Sequence, residues 1–247
     1  MRLIKINATN STNSFLKELA QNSSLEEYTI AVANTQTSGR GQMSNSWVSE
    51  PYKNLTFSIF TPLTKLQIKH QAYLNFAVSL AIYDTLLTYN VPKLSIKWPN
   101  DIMSAEKKIC GILIETTFSH LQIKNTIIGI GLNVAMPSLA AQEIDQAWTD
   151  LQAQSPSPIS RNTLTAKLVV TLFVLLKDFQ RVGFKAYRDE WEEADLLKNL
   201  PGTVRTVKEG ISGIVLGVDD SGALRLALPD GEVQRFIGGE LSLGPSL

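Results

Sequence analysis

The sequence Lys97-Trp98-Pro99-Asn100-Asp101, followed after a short turn by Lys108-Ile109-Cys110-Gly111-Ile112-Leu113-Ile114-Glu115, combines charged and amide side chains with an apolar run. Its apolar second half predicts a β strand, and residues 104–107 predict the hairpin turn that leads into it. Packing explains the apolar residues but not the two lysines, the amide and the carboxylate beside them, because charges are costly to bury without partners. The combination suits chemistry on a phosphate ester.

Hydrophobic patterns on both sides of this stretch predict an α+β fold. Phe76, Leu80, Tyr83 and Leu87 recur at helical spacing and predict a long helix that covers one face of a sheet. Short links between the central strands predict a mixed or antiparallel sheet flanked by helices. The predicted strands are residues 28–34, 54–60, 94–97, a segment around 102, 108–117 and 121–130, and the predicted helices are 12–20, 66–89, 139–153, 162–181 and 184–197.

The pattern changes from Pro201 onward. Short alternating segments are separated by Asp219-Asp220-Ser221-Gly222 and by Pro229-Asp230-Gly231, which are typical of tight hairpin turns. We therefore predict two domains, a larger α+β domain of residues 1–199 and a small β barrel of residues 200–247.

Composition narrows the class of protein. The 247 residues carry 23 basic and 23 acidic side chains, so there is no basic excess for binding DNA. The single cysteine excludes an intrachain disulfide, and with only His70 and His120 a structural zinc site is not expected. There is no signal peptide pattern and no apolar run near the roughly 18 residues of a membrane span, so we expect a cytoplasmic protein that does not enter membranes.

Two glycine-containing segments are candidate ligand loops. Gly39-Arg40-Gly41 lets backbone N–H groups approach an anion while Arg40 offers a planar fork, and the nearby Trp47 can stack on a base. A flexible surface loop is the alternative. Gly129-Ile130-Gly131-Leu132-Asn133 ends a strand with an amide that can face a ligand. Neither segment is a nucleotide motif of the common kinds, because the first lacks the P-loop lysine and the second has Val134 where a dinucleotide fingerprint has its third glycine.

Taken in order along the chain, these segments resemble the catalytic core of the biotin protein ligases. The resemblance covers nearly the whole chain, and residues 200–247 resemble the SH3-like domain that ends these enzymes. The match is most specific at Lys97–Asp101. The matching segments are Ser11-Thr12-Asn13, Gln36 with Gly39-Arg40-Gly41, Trp47, Lys97–Asp101, Lys108 with Gly111, and Gly129–Asn133.

The resemblance implies a reaction in two steps. Biotin's carboxylate attacks the α-phosphate of MgATP to give biotinyl-5′-adenylate and pyrophosphate, and a lysine amine of a biotin carboxyl carrier protein then attacks the adenylate. An anion that approaches a polyanion needs cations and oriented N–H groups, which Arg40, Lys97 and Lys108 can supply. Mg²⁺ is expected to arrive with ATP and not at a dedicated protein site. Relatives are often homodimers, and that state stays open for this chain.

The same resemblance assigns residues to roles. The catalytic residues would be Arg40, Lys97, Asp101 and Lys108, with Asp101 either accepting a proton from the incoming lysine or orienting it. Biotin would bind to Ser11, Thr12, Asn13, Gln36, Gly39, Arg40, Gly41, Gln42, Lys108 and Gly111. ATP would bind to Arg40, Trp47, Lys97, Asn100 and Asn133.

Two other functional classes compete with the ligase. Lipoate ligases and octanoyl or lipoyl transferases share the fold, and some carry the acyl group on a cysteine, whereas Cys110 lies in an apolar strand and is expected to be a buried small hydrophobe. Some family members also repress transcription through an N-terminal winged-helix domain, for which a motif that begins at Ser11 leaves no room.

Some residues of the motifs have a plain structural interpretation. Trp98 and Pro99 are expected to pack and to turn the chain, and Ser11 to cap the first helix. The chain also departs from the family at Gln42-Met43-Ser44-Asn45, where many relatives have further basic residues. We expect the adenylate to be held less strongly there and to escape more readily.

Overall fold

The computed structural model describes residues 1–22, 25, 27–61, 71–119, 122–137, 144–182, 187–206 and 209–243. The helices among them are α1 (Thr12–Asn22), α2 (Gln71–Leu87), α3 (Leu151–Gln154), α4 (Arg161–Val182) and α5 (Arg188–Ala194). The strands are β1 (Arg2–Thr9), β2 (Thr29–Gln36), β3 (Gly39–Arg40), β4 (Ser46–Trp47), β5 (Asn54–Thr61), β6 (Leu94–Lys97), β7 (Asp101–Ser104), β8 (Lys107–Ser119), β9 (Gln122–Asn133), β10 (Pro201–Arg205), β11 (Gly210–Val218), β12 (Leu224–Ala227), β13 (Val233–Phe236) and β14 (Glu240–Leu243).

A mixed sheet of seven strands organises the larger part of the chain, in the order β1-β2-β5-β9-β8-β7-β6. Only β1 and β2 are parallel, and every other neighbouring pair is antiparallel. The predicted mixed sheet is confirmed. The edge strand β1 was not predicted, although Ile4 and Ile6 alternate with more exposed residues in the pattern of a half-buried strand.

The two faces of the sheet are covered by different helices. On one face α2 and α4 cover a large apolar core, in which Phe76 and Trp191 meet edge to face with ring centroids 4.6 Å apart. On the other face α1 packs against β2, β5 and β9, and Leu16 joins a small cluster with Phe60 and Ile127. Side chains of a strand alternate between faces, so a strand such as β5 contributes to both clusters.

The helix predicted over residues 139–153 is wrong for residues 144–150, none of which is helical. Residues 147–149 are extended beside β8, where Lys108 N–H donates to the Ala147 oxygen and Thr149 N–H donates to the Lys108 oxygen, both at 2.9 Å. Asp150 then begins the short helix α3 by accepting from Ala153 N–H at 2.8 Å. Residues 138–143 lie outside the described residues, as do 66–70 and 184–186 of the predicted helices and 121 of a predicted strand.

The C-terminal strands form a separate antiparallel sheet in the order β13-β12-β11-β10-β14. Both predicted hairpin turns are present, and Gly222 (φ 78°) and Gly231 (φ 88°) supply the positive φ that such turns need. Arg188 of α5 connects this sheet to the rest of the chain by donating to the Val218 oxygen at 3.2 Å and pairing with Asp220. None of the described helices combines the length and the apolar character of a membrane span.

Candidate active site

A cavity lies on the face of the large sheet that α1 covers. Residues from α1, the loop after β2, the turn between β6 and β7, and strands β8 and β9 line it, and β14 of the C-terminal sheet adds Glu240. It collects most of the site residues that the sequence predicts. These lining residues are Ser11, Thr12, Asn13, Gln36, Arg40, Gly41, Gln42, Trp47, Lys97, Asn100, Asp101, Lys108 and Gly111.

A carboxylate between two lysines forms one end of the cavity. Lys108 Nζ lies 2.9 Å from Asp101 Oδ1, and Lys97 Nζ lies 3.8 Å from Asp101 Oδ2. The Asp101 side chain is 10% exposed and each lysine side chain 16%, so the three charges compensate one another largely away from water. An ammonium has three N–H donors, so each lysine can bind a second anion without leaving Asp101.

A β bulge explains why Lys108 reaches this end. Ile102 pairs with Cys110 but Met103 pairs with Lys108, which leaves Ile109 as one extra residue in β8. An extra residue reverses the side-chain alternation of a strand. The Lys108 side chain therefore shares a face with Gly111, where an added Cβ would lie 3.2 Å from Lys108 Cε.

Neutral hydrogen-bonding groups form the other end of the cavity. The Thr12 N–H and hydroxyl donate to Gln36 Oε1 at 2.7 and 3.0 Å. Ser58 Oγ lies 2.6 Å from Thr12 Oγ1 and 2.5 Å from Asn13 Oδ1, and it is fully buried. Sequence reasoning did not select Ser58, but the alternation of polar and large apolar residues along β5 was a signal that could have found it.

The indole of Trp47 lies on two glycines in the middle of the cavity. Gly111 and Gly131 are paired across β8 and β9, and an added Cβ would lie 3.0 and 2.3 Å from Trp47 ring atoms. Gly39, a predicted biotin residue, pairs with Trp47 in the β3–β4 ladder, where an added Cβ would lie 2.4 Å from the Trp47 oxygen. Lys108 Nζ is 5.7 Å from the Trp47 ring centroid. These glycines therefore position the indole.

The two predicted asparagines are bound by the protein itself. Asn133 lines a neighbouring cavity, which shares Trp47 and Lys108 with the first. Its side chain accepts from Asn54 Nδ2 at 2.9 Å and donates to the Thr149 oxygen at 3.1 Å. Asn100 is buried and its Nδ2 donates to the Ile112 oxygen. Each amide thus has a structural contact in addition to its predicted role.

Arg40 forms an ion pair with Glu115, a residue that was not predicted to belong to the site. Its Nη2 donates to Glu115 Oε2 at 2.7 Å, and Asn13 Nδ2 donates to the same oxygen at 2.8 Å. The Arg40 side chain is 43% exposed, so its remaining N–H groups are accessible.

Cys110 and Trp98 have the structural roles that the sequence predicts. Both are fully buried in the main core. Burial raises the pKa of the Cys110 thiol far above its usual value, and the nearby Asp101 charge adds to this effect, so the thiolate needed for acyl transfer is disfavoured.

The described residues contain no group of three or more histidine, cysteine, aspartate or glutamate side chains that could hold a metal ion. The Asp101 carboxylate in the cavity is already paired with two lysines. This donor set fits a Mg²⁺ ion that would be held mainly by ATP phosphates and water.

Comparisons with known proteins agree with this site. Residues 6–133 match the model of the "Biotin/lipoate A/B protein ligase family", and residues 203–244 match the "Biotin protein ligase C terminal domain". The chain is 32% identical to the bifunctional ligase/repressor BirA of Escherichia coli strain K12, over 94% of this chain and 71% of BirA. It is 29% identical to the biotin--[acetyl-CoA-carboxylase] ligase of Paracoccus denitrificans, over 90% of this chain and 93% of that one.

A solved structure gives the same result. The biotin protein ligase from Aquifex aeolicus in complex with biotin and ATP matches with a TM-score of 0.82 and 27% identity, over 99% of each chain. The family model covers more than half of this chain, and the relatives named here are biotin ligases and not lipoate enzymes. The chain therefore belongs to the biotin/lipoate A/B protein ligase family and, within it, to the biotin protein ligases.

Proposed function

We propose that this biotin protein ligase carries out both of its half-reactions in the cavity between α1 and the Lys97–Asp101 turn. The enzyme activates biotin with ATP to biotinyl-5′-adenylate and pyrophosphate, and then forms an amide with a lysine. The observation that carries the assignment is the division of one cavity into a neutral hydrogen-bonding end and a cationic end. Biotin would span both ends, with its uncharged ureido ring at the neutral end and its carboxylate at the cationic end.

The neutral end suits the ureido ring of biotin. Thr12, Asn13 and Gln36 hold polar atoms in fixed positions, and Thr12 and Asn13 are almost fully buried. A pocket gains specificity for a neutral ligand from a few fixed polar groups of this kind. Ser11 and the backbone of Gly41 lie close enough to line the same space.

The cationic end suits the phosphates. When the biotin carboxylate oxygen attacks the α-phosphorus, the bond to the bridging oxygen of pyrophosphate breaks and negative charge grows on the departing oxygens. Lys97, Lys108 and Arg40 can donate to these oxygens, and such preorganised donors stabilise the transition state. Bound Mg²⁺ would offset part of the triphosphate charge. Trp47, Asn100 and Asn133 would complete the nucleotide side.

Asp101 is the candidate for the second half-reaction. The lysine amine of the carrier attacks the carbonyl carbon of biotinyl-adenylate, an amide C–N bond forms, and the C–O bond to phosphate breaks to release AMP. The amine must lose protons, and Asp101 is the carboxylate beside the cationic end that can accept or orient its N–H groups. Pairing with two lysines fixes that carboxylate in position.

The remaining assignments concern the acceptor protein and the cellular location of the enzyme. We propose that the acceptor is a biotin carboxyl carrier domain of a biotin-dependent carboxylase and that the enzyme acts in the cytoplasm without binding DNA. A homodimer is a further prediction, which the mass of the protein in solution tests.

An exchange assay tests the assignment. The purified chain should exchange labelled pyrophosphate into ATP only when biotin is present, and lipoate should not replace biotin. Lys108→Ala should lower this exchange by on the order of a hundredfold, as expected for losing an electrostatic donor at the reacting group. The matched control is Lys107→Ala, because Lys107 is the exposed neighbour in β8 and does not line the cavity.

A second assay follows the complete reaction. With MgATP, biotin and a carrier domain, mass spectrometry should show one added biotinyl group on the carrier. Exchange that depends on lipoate, or equal activity of the Lys108→Ala and Lys107→Ala variants, would contradict the assignment.

A further inference from the structure

Glu115 connects two residues that the proposed function assigns to different substrates. A single carboxylate oxygen, Oε2, accepts from Arg40 Nη2 at 2.7 Å and from Asn13 Nδ2 at 2.8 Å. Asn13 belongs to the biotin end of the cavity, whereas Arg40 offers its guanidinium to the phosphate. Glu115 is not among the described residues that line the cavity, so it acts on ligands through these two neighbours.

The fold holds one side of this connection firmly. Glu115 lies on β8 two positions beyond Leu113, whose oxygen also accepts from Asn13 Nδ2 at 3.3 Å. Asn13 is fixed on its other side by Ser58, and it fits against Gly129, where an added Cβ would lie 2.3 Å from Asn13 Oδ1. The Glu115 carboxylate therefore starts from a well-defined position.

Arg40, the other partner of Glu115, is held by fewer contacts than Asn13. Arg40 is on the two-residue strand β3, which pairs only with the two-residue strand β4 among the described elements. Its side chain is 43% exposed against 24% for Glu115. The ion pair with Glu115 is thus the main side-chain contact that the structure gives Arg40.

We propose that Glu115 is a positioning residue that holds Arg40 over the biotin end of the cavity and slows the escape of the acyl-adenylate. The proposal rests on the proposed function, because the adenylate is the species retained. One guanidinium N–H group bound by Glu115 leaves four others for the phosphate. Loss of the carboxylate charge frees the segment around Arg40 to move away, and the adenylate then leaves faster.

Proteolysis of the ligand-free protein tests the positioning without any catalysis. Trypsin cleaves after exposed arginines, so cleavage between Arg40 and Gly41 reports how often this segment leaves its place. Glu115→Gln should speed that cleavage on the order of threefold, which corresponds to the strength of a partly exposed ion pair. The matched control is Glu106→Gln, which removes the same charge from the exposed turn between β7 and β8. Cleavage equal in both variants would overturn the proposal.

Retention of the adenylate tests the consequence. Release of biotinyl-adenylate into a trap should be about threefold faster for Glu115→Gln than for wild type. The same substitution added to Arg40→Ala should cause no further change, because the amide oxygen of Gln can still accept from Asn13 Nδ2 and only the ion pair with Arg40 is lost. A merely structural role would instead raise the release rate equally with and without Arg40, and that result would overturn the proposal. Glu115→Asp, which keeps the charge, should release the adenylate at an intermediate rate.

These two measurements separate the proposal from the function on which it rests. A wild-type chain that forms no adenylate, but whose Glu115→Gln variant is cut faster at Arg40, would refute the proposed function and the retention role while confirming the contact. Adenylate formation with unchanged release in Glu115→Gln would refute the retention role alone.

Discussion

Trp47 and Gly131 are packed so closely that an added Cβ on Gly131 would lie 2.3 Å from Trp47 Cε2. Gly111, the cross-strand neighbour of Gly131, leaves room for the same ring. Gly111 on β8 and Gly131 on β9 thus form a flat packing surface for the Trp47 ring, and they do not form a phosphate-binding loop.

We expect Gly131→Ala to displace the indole and to lower adenylate formation by roughly tenfold to a hundredfold, since a shift of about 1 Å in a positioned group can cost that much. Gly129→Ala should instead raise the KM for biotin, because its Cβ would meet Asn13. Pyrophosphate exchange at varied biotin and ATP separates the two effects. Gly210→Ala is the control, because its Cβ would lie in ordinary contact at 3.5 Å from Thr203. Equal kinetics of all three variants would refute the idea that Gly131 positions the Trp47 ring and that Gly129 makes room for Asn13.

We expect Asp101→Asn to slow transfer of biotin to the carrier by at least about tenfold, because the incoming amine loses the carboxylate that accepts or orients its protons. Adenylate formation should be affected less, since Lys97 and Lys108 remain. Transfer from preformed biotinyl-adenylate to the carrier measures the step directly. The exposed Asp189 of α5 provides the control, Asp189→Asn. If Asp101→Asn transferred as fast as that control, Asp101 would have no part in the second half-reaction.

Asp195 makes stability depend on pH. Burial raises its pKa from 3.8 to about 6, with its Oδ2 atom buried without a hydrogen-bond partner among the described residues. The folded state thus binds the proton more tightly than the unfolded state, and Asp195 lowers the free energy of unfolding as pH rises from about 4 to above 6. We expect Asp195→Asn to stabilise the protein by up to about 2 kcal/mol at neutral pH, and much less at acidic pH.

Urea unfolding at both ends of that pH range measures the effect. The Asn side chain keeps an oxygen for the Leu197 N–H, which now donates to Asp195 Oδ1 at 3.1 Å. A gain of the same size at both pH values would contradict the pKa shift as its cause.

We expect Gln42→Arg to slow the escape of biotinyl-adenylate several-fold, because Gln42 lines the cavity and a cation there adds attraction to the phosphate. Dissociation of the trapped intermediate is the measurement. Gln21→Arg adds the same charge at the exposed end of α1 and should change nothing. Release from Gln42→Arg at the wild-type rate would show that the neutral loop is not why the adenylate leaves.

Several elements were predictable because their signals are local. The helical spacing of α2 and the turn residues around Gly222 and Gly231 depend on neighbours in the sequence, and both features are present. The helix predicted over residues 139–153 was wrong where the backbone at Ala147 and Thr149 hydrogen bonds to Lys108. A contact between residues about 40 apart is invisible to local periodicity, and it overrides propensity.

The family's residue types and their order are visible in the amino-acid sequence, from Ser11-Thr12-Asn13 through Lys97–Asp101 to Lys108 and Gly111. Which of these residues contact one another, and through which atoms, depends on how the chain folds. The bulge at Ile109 turns Lys108 toward Asp101, and Ser58 on β5 and Glu115 on β8 contact residues that line the cavity. Hydrogen bonds and ion pairs act over about 3 Å in space, whereas a motif records only distance along the chain, so these contacts could not be predicted from the motifs.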